Sequence, residues 1–306
     1  MFLKKKVPQT NIDTTHDRVQ ELLKKVRQIE IKSRRLTTQL FTGEYHTAFR
    51  GQGMAFKEVK EYYPGDDVRF IDWNVSARMG HTYTKIFEEE RERNVFFMID
   101  MSASTLFGTR TQTKNNLITE MAAVLSFSAV NNNDKVGLIF FTDKVEKYIP
   151  PKKGKDHALT IVREMVHATP HSAHTDVSVA LHFLSNISKH KSIVFLLSDF
   201  ADAGYQNSLQ VAAKKHDITG VQIYDSSDEA LPPVGLVNVQ DAETGNTFLL
   251  QTSNKAYQVL YAQQHQRIIE DAKICFKKSG ASLIQIATNE DYVMALRNFF
   301  LKHHRH

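Results

Sequence analysis

The 306-residue sequence contains a single cysteine, Cys275. One thiol excludes an internal disulfide and fits a reducing compartment. Cys275 falls in the helical spacing Ile268, Ile269, Ala272, Cys275, Phe276, which predicts buried packing rather than nucleophilic chemistry. No run approaches the ~18 apolar residues that a membrane-spanning helix needs. The basic start, with Lys4, Lys5 and Lys6, is followed by no apolar core and does not read as a secretory signal. A cytoplasmic protein without a membrane span is expected. Also absent are a Gly-x-x-x-x-Gly-Lys-Ser/Thr loop, a Gly-x-Gly-x-x-Gly fingerprint after a strand, and a nucleophile-elbow serine. Nucleotide binding through those loops and serine-hydrolase chemistry are therefore unsupported.

What is present is ordinary globular material, 42% hydrophobic and 24% charged, enough for one large domain with additions or for two domains. The net charge of +5 is modest. Basic residues crowd the first 35 positions, and contact with nucleic acid or anionic lipid is one reading of that excess. The spacing favours a solvated helix face, because the charges alternate with apolar positions and no aromatic stacking platform accompanies them.

Over residues 13–40, Val19, Leu22, Leu23, Val26, Ile29, Leu36 and Leu40 recur at helical spacing, with Asp13 or Thr14 as a cap. Residues 41–93 are dense in glycine and aromatics. That predicts an irregular packed segment rather than a disordered linker, with a strand over His81–Glu88. From residue 94 strands and helices alternate. Strands are predicted at Asn94–Asp100, Lys135–Thr142, Val145–Ile149, Ser192–Ser198, Thr219–Tyr224 and Ser282–Ile286. Helices are predicted at Gln112–Asn131, Asp156–Ala168, Asp176–Lys189, Gly204–His216, Tyr257–Lys278 and Glu290–Lys302. The tight Thr142-Asp143-Lys144 turn makes one antiparallel edge, and a β-hairpin (Gly235–Gln240 with Thr247–Gln251) is inserted at about 225–253. The expected fold is α/β, a doubly wound, mostly parallel sheet with right-handed crossovers. Residues 1–93 are expected to form a helical and irregular extension packed on a sheet domain of 94–306.

The chemistry concentrates at strand ends. The apolar run Val95–Ile99 stops at Asp100, with Ser102 and Ser104 at alternate positions after it; Ile193–Leu197 leads through Ser198 to Asp199. Acids at the carboxyl ends of parallel strands sit where open α/β sheets bind ligands. Between them the polar loop 170–176 brings Thr175, read here as both a helix cap and a hydroxyl donor. Two carboxylates and three hydroxyls are hard oxygen ligands suited to Mg²⁺, with Mn²⁺ or Ca²⁺ as alternatives. The competing reading is a strand end with an Asx or Ser turn. His167, His171 and His174 have spacings that a Zn²⁺ site uses, but Pro170 breaks any shared helix, so loop histidines are expected. The terminal His303-His304-Arg305-His306 reads as a frayed tail.

Asp100-x-Ser102-x-Ser104, Thr175 and Asp199 together resemble the metal-ion-dependent adhesion site of the von Willebrand factor A domain. A second resemblance lies upstream. Gly51-Gln52-Gly53 with Phe56, Tyr63-Pro64-Gly65-Asp66-Asp67-Val68-Arg69-Phe70-Ile71-Asp72-Trp73, and Ser76-Ala77-Arg78 are similar to the signature of the bacterial "domain of unknown function 58" family, which carries a von Willebrand A-like domain directly after it. That resemblance implies Mg²⁺ held by Ser102, Ser104 and Thr175 directly and by Asp100 and Asp199 largely through water, with a partner's carboxylate completing the shell. It also implies a MoxR-type AAA+ ATPase as partner, and hence an adaptor or co-chaperone rather than an enzyme.

Two alternatives stay open. Asp66, Asp67, Arg69, Asp72 and Arg78 place paired carboxylates where general acid/base work is possible. The reading preferred here is buried bidentate pairing that locks the segment onto the sheet, with Trp73 as a core anchor. Asp100 is also placed as the nucleophile of a Mg²⁺-dependent phosphohydrolase of the haloacid dehalogenase type. That chemistry needs an acid two residues on, and the sequence has Ser102 there.

Overall fold

Two apolar segments, Asn94–Asp100 and Ile193–Ser198, lie side by side at the centre of a six-stranded sheet, buried at every position except Asn94. The computed structural model describes residues 27–29, 31, 32, 36, 37, 55–88, 92–102, 113–169, 172, 174–240 and 246–303. Its elements, in chain order, are β1 (Ala55–Glu61), α1 (Trp73–Met79), β2 (Tyr83–Glu88), β3 (Asn94–Asp100), α2 (Lys114–Asn131), β4 (Lys135–Phe141), β5 (Val145–Lys152), α3 (Lys155–His167), α4 (Val177–Ile187), β6 (Ile193–Ser198), α5 (Gln206–Lys215), β7 (Asp217–Tyr224), α6 (Ser226–Glu229), β8 (Leu236–Gln240), β9 (Thr247–Gln251), α7 (Lys255–Ser279), β10 (Ser282–Ala287) and α8 (Tyr292–His303).

The sheet order is β10-β7-β6-β3-β4-β5. All neighbours are parallel except β4 and β5, the antiparallel edge expected from the tight turn. Alternate residues of β3 feed two cores, as period-2 geometry requires. Val95, Phe97 and Ile99 meet residues of α2, α3 and α8 on one face; Phe96 and Met98 meet α4, α5 and α7 on the other. Helices cover both faces, so the fold is the doubly wound α/β class predicted, and the strand order reverses between β3 and β6. Phe97 and Phe195 stack across that junction with ring centroids 5.6 Å apart. Close packing is visible at Gly220 on β7, where a Cβ would fall 2.3 Å from the Phe276 ring of α7.

The outer edge strand β5 is longer than its apolar pattern. It runs past Ile149 through Pro150 and Pro151 to Lys152, and the register with β4 shifts there, between Leu138↔Ile149 and Val136↔Lys152. Proline lacks the ladder donor, so it is tolerated at an edge and at a shift. The predicted hairpin at 225–253 is present as β8 paired with β9.

Only parts of the predicted 13–40 helix are described. Ile29 and Leu36 pack into the core around α2, Thr37 Oγ1 donates to the Val124 carbonyl at 3.3 Å, and Lys32 pairs with Glu120 at 2.5 Å. No helix among the described residues is long and apolar enough to cross a membrane. Cys275 is buried, and burial raises its thiol pKa, in line with a packing role.

The signature segment differs from expectation. β1 and β2 form their own antiparallel pair. Asp72 caps α1 through Asn74 N–H and Val75 N–H, and Gly80 closes it in the left-handed region at φ 74°. The acids do not form the expected buried pairs that would lock the segment onto the sheet. Asp67 grips Arg69 at 2.6–3.0 Å, Asp66 takes Lys60 at 2.8 Å, and Asp72 takes Lys85 at 3.3 Å. These pairs lie at the surface, Asp67 with Arg69 exposed and the other two half-buried, and they join parts of the segment to one another, not to the sheet. Arg78 is exposed, and Trp73 is 70% exposed, so it is no core anchor. A seven-residue helix held by its caps, with no buried residue, has no core to offer an indole.

Candidate metal centre at the sheet edge

Asp100 is fully buried, although it ends a strand. Its carboxylate is held by the turn that follows it and by two segments distant in sequence. Oδ1 accepts the Ser102 N–H at 2.9 Å, closing an Asx turn directly after β3. Oδ2 accepts the Ser198 hydroxyl at 2.6 Å. Thr175 Oγ1 approaches both oxygens, at 3.3 and 3.5 Å. The parallel register explains Ser198: Ile99 lies beside Leu197, so the next residues, Asp100 and Ser198, are neighbours on the same face.

Thr175 reaches Asp100 because α4 is anchored beneath it. The Asp176 N–H donates to the Thr142 carbonyl past the end of β4, at 3.0 Å. Asp176, not Thr175, caps α4, accepting from Ser178 N–H and Val179 N–H. This corrects the sequence expectation and frees the Thr175 hydroxyl for the site. Of the five predicted ligands, Asp100, Ser102, Thr175 and Asp199 fall at this edge. Ser104 lies outside the described residues, as does His171; His167 and His174 are exposed.

Asp199 is mostly enclosed. Its Oδ1 accepts the Ala201 N–H at 3.2 Å, and its Oδ2 lies 3.8 Å from the ammonium of Lys114, the first residue of α2. Lys114 is itself buried and pairs more closely with Asp228, at 2.8 Å. Phe200, which follows, adopts φ 53°, the left-handed region that a bulky residue rarely enters. Its N–H donates to Ser198 Oγ at 3.1 Å, and its ring packs edge-on to Phe276.

The electrostatics leave a charge unanswered. Burial, reinforced by the negative charge of Asp199, pushes the Asp100 carboxyl up to about 6, despite the hydrogen bonds from Ser198 and Ser102. Among the described residues, the Lys114 ammonium pairs with Asp199 and Asp228. A buried acid raised by a neighbouring acid and ringed by hydroxyls is a setting a divalent cation relieves. The donors, carboxylate and hydroxyl oxygens, fit Mg²⁺, Mn²⁺ or Ca²⁺ and not a soft metal. Among the described residues no group of three His, Cys, Asp or Glu gathers, so a carboxylate- or histidine-rich cage is not formed there.

Two participants, Ser198 and Lys114, were not singled out in the sequence. The strand pairing that sets Ser198 against Asp100 spans 98 positions. Lys114 is one polar residue at a helix start, and nothing local marks it as buried.

A family profile described as "Protein of unknown function DUF58" matches residues 58–270. The uncharacterized protein Rv1480 of Mycobacterium tuberculosis is 26% identical over 285 residues, covering 92% of this chain and 89% of its own. Among solved structures, BatB from Bacteroides thetaiotaomicron is similar with a TM-score of 0.47 at 13% identity, over 70% of this chain and 100% of that one. The SpRpn10 VWA domain is similar with a TM-score of 0.37 at 11% identity, over 68% of this chain and 95% of that one.

Proposed function

The chain belongs to the DUF58 family, and we propose that its Asp100 edge is a metal-dependent protein-interaction site, not a catalytic one. The observation that carries this reading is the convergence of Ser102, Thr175 and Ser198 on one fully buried carboxylate whose charge is opposed by Asp199. A hard divalent cation would be held by Asp100, Ser102, Thr175 and Asp199, with Ser104 as the further hydroxyl of the motif. When bound it supplies Lewis acidity toward an incoming carboxylate. The residues of this chain exclude water around Asp100, orient the hydroxyls through the Asx turn and the α4 cap, and leave Asp199 at the rim.

Support for docking over hydrolysis comes from the same geometry. Both oxygens of Asp100 are engaged, and the position two residues on carries the Ser102 hydroxyl where a phosphotransferase needs an acid. The finer step, that the partner is a MoxR-type AAA+ ATPase served by this protein as adaptor or co-chaperone, rests on the family resemblance.

The test is calorimetric titration of Mg²⁺ and Mn²⁺ into the wild type and Asp100→Ala. Saturable binding by the wild type that the variant loses is expected; equal binding by both would sink the site. Co-purification with a MoxR-type ATPase in Mg²⁺, lost in EDTA, tests the partner. Phosphatase activity that disappears in Asp100→Asn would transfer the site to catalysis.

A further inference from the structure

A cavity opens at the same sheet edge, lined by Asp199 but not by Asp100. It holds about 320 Å³. Lys114, Asp199 and Asp228 bring charge to it, and Tyr224, Tyr261 and His265 bring aromatic faces. The Lys114 ammonium sits between the two acids, 2.8 Å from Asp228 and 3.8 Å from Asp199. Two carboxylates against one ammonium leave the lining one negative charge in excess, since burial depresses the His265 pKa and favours its neutral form. The surroundings deepen that excess. The Tyr224 phenol is raised by burial and then by Glu290 and Glu229, and the Tyr261 phenol by burial and then by Asp228 and Asp225. In the adjoining part of the groove the one lysine, Lys273, is paired with Glu270.

Negative charge set among aromatic faces selects a cation. The site contains its own precedent in Lys114, an ammonium already held by two of its carboxylates. The wall continues outward along α7. Tyr257, Tyr261, Gln264 and Ile268 recur at spacings of four, three and four, one face of a helix. At the outer end of that helix Tyr257 is 47% exposed and Leu260 is 61% exposed. A small free amine would leave this apolar lip bare, whereas an extended peptide would cover it.

We propose that this cavity receives the arginine or lysine side chain of an extended segment of a partner protein, whose apolar neighbours rest on Tyr257 and Leu260. The proposal builds on the docking function assigned to the Asp100 edge and adds, in the metal-free chain, a second contact that holds a base through Asp228 and shares Asp199 with the metal centre.

The experiment titrates the full chain, in EDTA, with three probes: acetyl-Leu-Arg-Leu-amide, its citrulline counterpart and agmatine. The arginine peptide is expected to bind at least tenfold more tightly than either. Asp228→Asn, which retains an oxygen to accept the Asp225 N–H of the α6 cap, is expected to erase most of the preference over citrulline. Lys114→Met removes the internal cation and is expected to tighten the arginine peptide severalfold; should that variant not fold, as circular dichroism would reveal, Asp228→Asn carries the test. Equal affinity for the arginine and citrulline peptides overturns the proposal, as does an Asp228→Asn variant that keeps the preference. Agmatine binding as tightly as the peptide overturns the protein partner. Because every arm is run without metal, failure of the Asp100 centre and failure of this cavity are read separately.

Discussion

The sheet domain and the signature segment both carry clusters of acids, and they use them in opposite ways. At the sheet edge Asp100 is bound across 75 and 98 positions of sequence, out of contact with solvent. In the signature segment Asp66, Asp67 and Asp72 bind partners two to thirteen positions away, at the partly exposed surface. A buried carboxylate assembled from distant strands is costly to maintain and bespeaks a site, because burial disfavours its charge and only the fold supplies its partners. An exposed acid beside its own basic neighbour shapes a turn and contributes little to stability. The aromatics divide in the same way: Phe97 stacks on Phe195 inside the sheet, while Trp73, Tyr63, Val68 and Met79 face outward. Exposed Trp and Tyr beside Arg69 and Arg78 have the composition of a contact surface, not of a core.

Substitutions can break or sharpen this contrast. Phe195→Ala is expected to cost the sheet domain about 3–5 kcal/mol in denaturant unfolding, through lost transfer energy and the cavity left beside Phe97; a cost under ~1 kcal/mol would remove the claim that the domain is anchored at the β3–β6 junction. His216 comes next. It is buried, neither ring nitrogen has a hydrogen-bond partner among the described residues, and burial followed by Lys215 pushes its pKa down to about 4. The folded state therefore holds it neutral, so its contribution is complete above the unfolded value of ~6.5 and is lost as pH falls toward 4. Chemical unfolding of His216→Phe is expected to show an acid loss smaller than wild type by on the order of 2–3 kcal/mol between pH 7 and pH 4. Parallel pH curves would refute this. Gly220→Ala should cost about 1–3 kcal/mol, because the added methyl meets the Phe276 ring and α7 must move. Smallest is Trp73→Ala, expected within about 0.5 kcal/mol in the same melts. A large loss there would mean that the indole is covered by structure after all.

The contrast also explains what could be read from sequence. The alternation of apolar strands and amphipathic helices, and with it the α/β class, was legible because period-2 and 3.6-residue patterns are local consequences of burial. The hairpin at Leu236–Gln240 and Thr247–Gln251 was legible from its turn residues. Asp100, Ser102, Thr175 and Asp199 were legible as residue types placed at strand and helix ends. Ser198 was not, because pairing across β3 and β6 depends on register. Lys114 was not, because its helix is buried nearly all round and offers no polar face to mark an inward cation. Trp73 misled for the converse reason: aromatic density predicts packing, but a capped helix of about two turns beside a two-stranded unit has little to pack against. β5 outran its pattern because a strand is bounded by hydrogen bonds, and an edge needs them on one side only.

That edge has a consequence for assembly. A strand with one free side invites another strand to add to it, in fibres as in domain exchange. Pro150 and Pro151 remove two amide donors from β5 where its register already shifts, so an arriving strand finds no continuous ladder to extend. Growth of this sheet by strand recruitment is thereby hindered at the proline end of β5, beyond Ile149.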